Sequence, residues 1–242
     1  MSKVTSTAET TQTWAEQRQL DLNFTQQTGS TNYDAKKNAM SENSDFVLYV
    51  TGHQTAGRGR GTNVWLDTGT GEGLLSTWSY SVKAPPQAIT APRIGFAVFT
   101  ALNSVWPSLA WSIKAPNDIY LDGHKVGGLL VESVSSGTKH RLLVGFGFNV
   151  LNHPRAFKEA DHLGKALHGA PEDGEWFQFL DELSSELKAA IPEVLKGTLT
   201  PAVCEGLADA LNANSAKAFT VKEVSPQGDL IHTKGQVRWT DL

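Results

Sequence analysis

The run Gly57-Arg58-Gly59-Arg60-Gly61 constrains this chain more than any other feature, because of the motifs on either side of it. Alone, an arginine–glycine run is a weak signal, since such runs are common in flexible segments that bind RNA. Here it stands in an ordered succession of short motifs joined by apolar, strand-like stretches, and the other motifs are Gly29-Ser30-Thr31-Asn32, Lys114-Ala115-Pro116-Asn117-Asp118, Lys125-Val126-Gly127-Gly128-Leu129-Leu130-Val131-Glu132 and Gly145-Phe146-Gly147-Phe148-Asn149. The order predicts a folded domain in which the run is one part of a site.

The hydrophobic pattern predicts strands and helices that do not alternate regularly. Strands are expected around Leu22 and at 46–50, 73–82 and 142–150, helices at 32–40, 93–106 and 176–191, and a hairpin at 118–134. This order predicts an α+β fold with a mixed or mostly antiparallel sheet flanked by helices. We expect an N-terminal extension at 1–19, a main domain at 20–195, and a short helix with a small, truncated β domain of three strands at 196–242.

Composition excludes several classes of protein. The chain has 242 residues and a net charge of -4, which argues against a general polyanion binder. Its one cysteine, Cys204, excludes an internal disulfide and a cysteine-based metal cluster. The sequence contains no signal-peptide pattern and no stretch long enough to cross a membrane, so it predicts a cytoplasmic protein without a membrane partner.

The five motifs, in this order, resemble those of the biotin protein ligase family, the biotin–[acetyl-CoA-carboxylase] ligases, over roughly 22–150. The resemblance implies the catalytic fold of biotin and lipoate ligases, with biotin as substrate and ATP and Mg²⁺ as cofactors. It implies an enzyme that forms biotinyl-5′-AMP and transfers biotin to a lysine of a carrier domain. The implied acceptor is the biotin carboxyl carrier domain of acetyl-CoA carboxylase or of a related biotin enzyme.

The resemblance also implies roles for individual residues. A carboxylate that meets an α-phosphate needs fixed positive charge and hydrogen-bond donors, and the implied catalytic residues are Lys114, Arg58 and Arg60. The implied biotin-binding residues are Ser30, Thr31, Asn32, Gln54, Arg58, Gly59, Arg60, Lys114, Gly127 and Gly128. The adenylate is expected to contact Arg58, Arg60, Trp65 and Asn149. Asp118 is a candidate for the magnesium side, since Mg²⁺ favours carboxylates together with substrate phosphates.

Three of these assignments also have a purely structural explanation. The Ser30-Thr31 pair suits a helix N-cap, Trp65 suits core packing, and Lys114 alone would suit the surface end of a strand. The sequence also departs from the family in three places. Ala115 stands where the family usually has tryptophan, Thr55 stands where many relatives have a second glutamine, and the C-terminal region is short.

Other functions remain open at this stage. About twenty residues precede the first core strand, too few for a DNA-binding helix-turn-helix, so we expect a monofunctional enzyme without a DNA partner. A homodimer is neither indicated nor excluded by the sequence. The alternatives are a lipoate or octanoate ligase or transferase of the same fold, an RNA-binding module that uses the arginine–glycine run, and a biotin-binding protein without catalysis.

Overall fold

A computed structural model describes residues 6–68, 71–215 and 217–242. The secondary structure follows in chain order as α1 (Thr7–Gln17), β1 (Leu22–Thr25), α2 (Thr31–Asn38), β2 (Phe46–Thr51), β3 (Gly73–Val82), α3 (Thr90–Val105), β4 (Trp111–Lys114), β5 (Asp118–Leu121), β6 (His124–Ser136), β7 (Lys139–Asn149), α4 (Leu163–Ala166), α5 (Asp173–Val194), α6 (Pro201–Asn212), β8 (Val221–Val224), β9 (Leu230–His232), β10 (Gly235–Val237) and a 3₁₀ helix (Trp239–Asp241). These elements form two compact units, each made of two chain segments: 1–85 with 126–177, and 86–125 with 178–242.

The first unit is built on a sheet whose strands lie in the order β1-β2-β3-β7-β6. Strand β1 pairs with β2 in parallel, and the other neighbours are antiparallel. Helices α1 and α2 pack against this sheet. Strand β3 is buried along most of its length, and its inward side chains include Leu74 and Trp78, which are fully buried. The prediction of a mostly antiparallel, mixed α+β fold is confirmed.

Helix α1 differs from the prediction, because the sequence pattern indicates only an N-terminal extension at 1–19 and no helix there. A capping box starts the helix: the Ser6 hydroxyl accepts from the Glu9 amide at 3.2 Å, and the Glu9 carboxylate accepts from the Ser6 amide. The Trp14 side chain is 1% exposed and packs against Trp78, with ring centroids 6.0 Å apart. On the same helix, Thr11 accepts a hydrogen bond from the Trp176 indole at 3.0 Å. The helix is therefore part of the core of the first unit.

The second unit combines helices with the β4–β5 hairpin and a three-stranded sheet. The hairpin of β4 and β5 packs against α3 and α6, and α6 also packs against β8. Strands β8, β9 and β10 form an antiparallel sheet in the order β10-β9-β8, as the sequence predicts for the C-terminal segment. The Trp239 indole donates to the Pro116 carbonyl at 2.7 Å, so the end of the chain holds the turn that follows Lys114.

Local predictions from the sequence are largely confirmed. Strand β3 has the predicted bounds, and Asp122 and Gly123 both have positive φ, as expected of an Asp-Gly hairpin turn. In the described part of the chain, no helix is long and apolar enough to cross a membrane.

We expect Trp14→Ala to lower the free energy of unfolding by about 3–5 kcal/mol, since it removes a fully buried indole. Urea denaturation followed by circular dichroism measures the change. The control is Gln17→Ala, an exposed position on the same helix, which should alter stability by less than about 0.5 kcal/mol. Equal stability of Trp14→Ala and its parent would show that α1 is dispensable to the fold.

Candidate active site

Asn32 carries the polar contacts at the centre of the first unit. Its side chain is 3% exposed, and its amide nitrogen donates to the Leu130 carbonyl at 3.2 Å and to the Glu132 carboxylate at 3.0 Å. Its amide oxygen accepts from the Thr77 hydroxyl at 2.6 Å. Thr77 lies on β3 and Glu132 on β6, so one amide joins helix α2 to two strands.

Gly145 provides the space that Asn32 occupies. A Cβ atom added at Gly145 would overlap the Asn32 amide oxygen and would lie 2.9 Å from its Cγ, which is closer than such atoms approach. This is the physical reason for the first glycine of the Gly-Phe-Gly-Phe-Asn motif. Two motifs that are more than a hundred residues apart therefore meet at one contact.

Gln54, and not Ser30, caps helix α2. Ser30 occupies the N-cap position with extended backbone, as the sequence predicts, but its side chain makes no capping hydrogen bond. Instead the Gln54 side-chain oxygen accepts from the Thr31 amide at 2.8 Å and lies 3.3 Å from the Thr31 hydroxyl. The Gln54 backbone amide donates to Asp67 at 2.6 Å. These bonds satisfy one of the helix's orphan amides and fix Gln54 beside Thr31.

The arginine–glycine run forms a tight hairpin. Arg58 forms an isolated bridge with Val64, and the Trp65 amide donates to the Gly57 carbonyl at 3.0 Å. Gly57 is required by close approach, since a Cβ there would overlap the Trp65 carbonyl. At the hairpin's tip Arg60 is exposed, and Gly59 donates its amide to the Asn63 carbonyl at 2.9 Å.

Arg58 is paired with Glu132. Its Nη1 lies 3.0 Å from Oε2 of Glu132, and Lys36 Nζ lies 3.6 Å from the other carboxylate oxygen. Glu132 thus accepts from Asn32 and from Arg58 and binds two cations. Because the arginine is 41% exposed and the glutamate 17% exposed, this pair adds little to overall stability, but it holds the hairpin to β6.

Trp65 covers the second glycine of the same motif. A Cβ atom at Gly147 would lie 2.5 Å from the indole ring, and Gly147 faces Gly128 across the β6–β7 pairing. Trp65 and Asn149 line one narrow cleft of about 10 Å³, which holds at most one water molecule. The Asn149 amide donates to the Asp161 carbonyl at 3.0 Å.

The first unit therefore brings together most of the residues predicted for the site. Hydrogen bonds, an ion pair and shared strands connect Thr31, Asn32, Gln54, Arg58, Gly128, Trp65 and Asn149, with Ser30, Gly59, Arg60 and Gly127 adjacent to them in the chain. The buried Gly127 faces Phe148 on β7. The assignment of ligand-binding roles to these residues stays a prediction.

Lys114 ends β4 in the second unit. Its ammonium donates to the Tyr120 hydroxyl at 3.2 Å and lies 5.4 Å from the centroid of that ring. Lys114 faces Asp118 across the hairpin, and the Asp118 carboxylate lies 2.7 Å from the Lys125 ammonium. Tyr120 therefore sets the position of the lysine, and Asp118 already has a cationic partner.

Ala115 lines a cavity of about 110 Å³ in the second unit. Its walls are mostly apolar and include Leu211, Phe219 and Leu230, and Lys114 lies among the lining residues. The alanine that replaces the tryptophan expected in this position therefore borders open space.

Sequence reasoning did not assign roles to Thr77, Glu132, Asp67 or Tyr120. One of these positions carried a signal, because Glu132 ends a quoted motif. Thr77 does not stand out in the sequence, since the same strand also contains Ser76, Ser79 and Ser81. Asp67 contacts Gln54, and Tyr120 contacts Lys114. No local sequence pattern indicated these contacts.

Residues 23–149 match the Biotin/lipoate A/B protein ligase family, and the chain belongs to this family. It is 37% identical over 145 residues to the biotin–[acetyl-CoA-carboxylase] ligase of Mycobacterium tuberculosis, covering 57% of this chain and 51% of that protein. It is 38% identical over 117 residues to the biotin–protein ligase of Homo sapiens, covering 44% of this chain and 15% of that protein. The chain thus spans about half the length of the first of these relatives.

The fold is also that of a solved biotin protein ligase. The structure described as biotin protein ligase from Aquifex aeolicus in complex with biotin and ATP superimposes with a TM-score of 0.66 at 22% sequence identity. The match covers 90% of this chain and 94% of that one.

We expect Glu132→Gln to release Arg58, because the substitution removes the charge that binds the guanidinium. Trypsin should then cleave the ligand-free chain after Arg58 about two- to fivefold faster, the range expected from an ion pair worth about 0.5–1 kcal/mol. Glu159→Gln removes the same charge at an exposed position and should leave the rate unchanged. An unaltered cleavage rate in Glu132→Gln would mean that the pair does not restrain the hairpin.

Proposed function

We propose that the chain is an ATP-dependent biotin protein ligase. A biotin carboxylate oxygen attacks the α-phosphorus of MgATP, the bond to pyrophosphate breaks, and biotinyl-5′-AMP forms. A lysine amine of a carrier domain then attacks the acyl carbon, and AMP leaves. The proposed acceptor is the biotin carboxyl carrier domain of acetyl-CoA carboxylase or of a related enzyme.

The polar network around Asn32 and Thr31 is the observation that carries this proposal. The ureido group of biotin is a compact set of donors and an acceptor, and such a group is buried favourably only where partners are already in place. Hydroxyl, amide and backbone groups converge there from α2, β3 and the 54–58 segment. We propose that Ser30, Thr31, Asn32 and Gln54 bind this ring, and that Gly127 and Gly128 lie against biotin.

Arginine and lysine supply the positive charge that the reaction needs. The proposed role of Arg58, Gly59 and Arg60 is to close over the adenylate, with the guanidinium groups on phosphate oxygens, which planar donor forks bind well. Lys114 is proposed to stabilise charge on the reacting carboxyl and phosphate. To reach a ligand, Arg58 must exchange its Glu132 partner for the phosphate.

The nucleotide is proposed to contact Trp65 and Asn149. The cleft that these residues line is too small for adenine, because the indole rests on Gly147. Binding therefore requires Trp65 to move. Magnesium is expected to arrive with ATP: Asp118 is a single carboxylate already paired with Lys125, so it does not form a magnesium site on its own, and no step is assigned to it.

A lipoate or octanoate ligase is the second candidate, because the description of the matched family names lipoate as well as biotin. The RNA-binding alternative has weaker support, since Arg58 is held by a carboxylate within a folded hairpin. The absence of a DNA partner and the cytoplasmic location stay predictions. Exchange of labelled pyrophosphate into ATP, measured with biotin and with lipoate, separates the candidates: we expect exchange with biotin only.

We expect Lys114→Ala to reduce biotin-dependent exchange about a hundred- to thousandfold, the typical effect of losing one preorganised charge contact, or about 2.7–4 kcal/mol. Lys114→Arg should rescue poorly, because a planar fork does not replace a compact ammonium. Lys188→Ala, at an exposed position of α5, is the matched control and should exchange at the parent rate. Full exchange by a folded Lys114→Ala variant would remove the lysine from the proposed mechanism.

A further inference from the structure

Two histidines and an aspartate meet in the irregular segment that follows β7. Ligand atoms of His153, Asp161 and His162 all lie within 4.8 Å of one another. The two imidazole rings stack at 5.6 Å between centroids, and His153 Nδ1 lies 3.9 Å from Asp161 Oδ1. None of these residues has a place in the proposed ligase reaction.

The ring nitrogens of this cluster lack the partners that buried nitrogens need. Within the described part of the chain, Nδ1 of His153 and Nδ1 of His162 are both buried and have no hydrogen-bond partner. Buried polar atoms are almost always satisfied, so two such nitrogens side by side call for a ligand. Neutral imidazole nitrogens are the most common metal ligands in proteins.

Asp161 provides the third potential ligand of this cluster, a carboxylate. Asp161 is 8% exposed, and its Oδ1 accepts from the His162 amide at 3.0 Å, which fixes its orientation. Burial raises the pKa of this carboxyl, but hydrogen bonds from Lys165 and from the His162 backbone outweigh burial, and the net change lowers the pKa. The carboxylate is therefore charged at neutral pH and available as an anionic ligand.

We propose that His153, Asp161 and His162 bind a divalent transition-metal ion, with Zn²⁺ as the best match. Imidazole and carboxylate ligands suit this ion, whose bonds of about 2.0–2.2 Å place neighbouring ligand atoms about 3.3 Å apart. The present separations need to contract by about 1.5 Å at most, which side-chain rotations supply. Mg²⁺ does not fit, because it prefers oxygen ligands.

The location gives the ion a structural role. Residues 151–162 contain no helix or strand, and the ion would join both ends of this segment. Asn149 donates to the Asp161 carbonyl, so the same segment supports the end of β7. Metal bound by two histidines and a carboxylate would therefore hold this edge of the first unit in place.

Without a bound metal, the Lys165 ammonium occupies the carboxylate that would bind the ion. Its ammonium binds the Asp161 carboxylate, and its side chain is 66% exposed, so it can turn into solvent. A cation beside the site weakens metal binding through repulsion and by competing for the same carboxylate. Removing the Lys165 charge should therefore strengthen metal binding. If the histidines had only a structural role, this substitution would not produce tighter metal binding.

Titration calorimetry of the full, chelator-treated chain with ZnCl₂ alone tests the proposal. We expect one Zn²⁺ per chain and no heat with MgCl₂. His153→Gln and His162→Gln should each weaken Zn²⁺ binding at least tenfold to a hundredfold, since even residues that only support metal ligands have effects of that size. Lys165→Gln keeps all three ligands and should bind more tightly than the parent.

His140→Gln is the matched control. His140 is a partly exposed histidine of the same unit whose Nδ1 already contacts the Ser135 hydroxyl at 2.8 Å, so its loss should leave Zn²⁺ affinity unchanged. Circular dichroism checks that each variant is folded. No stoichiometric Zn²⁺ binding by the parent, or parent-like affinity in both His153→Gln and His162→Gln, would overturn the proposal.

Discussion

The contact between Asn32 and Gly145 is the constraint on which the rest of the site depends. The Asn32 amide reaches β3 and β6 only because position 145 of β7 has no side chain. A buried amide with unsatisfied atoms is unfavourable by about 1–3 kcal/mol, so the amide and the space for it must be present together. Once in place, it fixes α2 against the sheet, and α2 in turn presents Thr31 to Gln54.

From this contact the polar groups extend outward to the arginine–glycine hairpin. Glu132 accepts from the buried Asn32 on one side and from the exposed Arg58 on the other. The same carboxylate thus belongs to a rigid buried network and to a hairpin held by a weak, screened ion pair. This arrangement agrees with the proposed ligase reaction, in which the buried network keeps its geometry while the hairpin opens. The proposed nucleotide binding also requires Trp65, which lines the narrow cleft, to move.

The sequence predicted the elements whose apolar residues repeat clearly and missed those whose burial depends on distant partners. Strand β3 and the Asp122-Gly123 turn were found because their signals are local. Helix α1 was missed because it buries Ala8, Thr11, Trp14 and Ala15, of which only one is a large apolar residue. Gln54 caps a helix that begins 23 positions earlier in the chain, and rules for local capping do not find such a bond. The motif resemblance identified the candidate residues, but not the Glu132–Arg58 pair or the Tyr120–Lys114 contact, which join side chains through folding alone.

A double-mutant cycle between Asn32 and Gly145 measures the constraint most directly. We expect Gly145→Ala alone to lower the free energy of unfolding by about 1–3 kcal/mol, since the added methyl group overlaps the Asn32 amide. With Asn32→Ala already present, the space is free, and the further loss from Gly145→Ala should fall below about 0.5 kcal/mol. Equal losses from Gly145→Ala in both backgrounds, measured by urea denaturation, would show that the two residues are independent and would contradict the central role given to their contact.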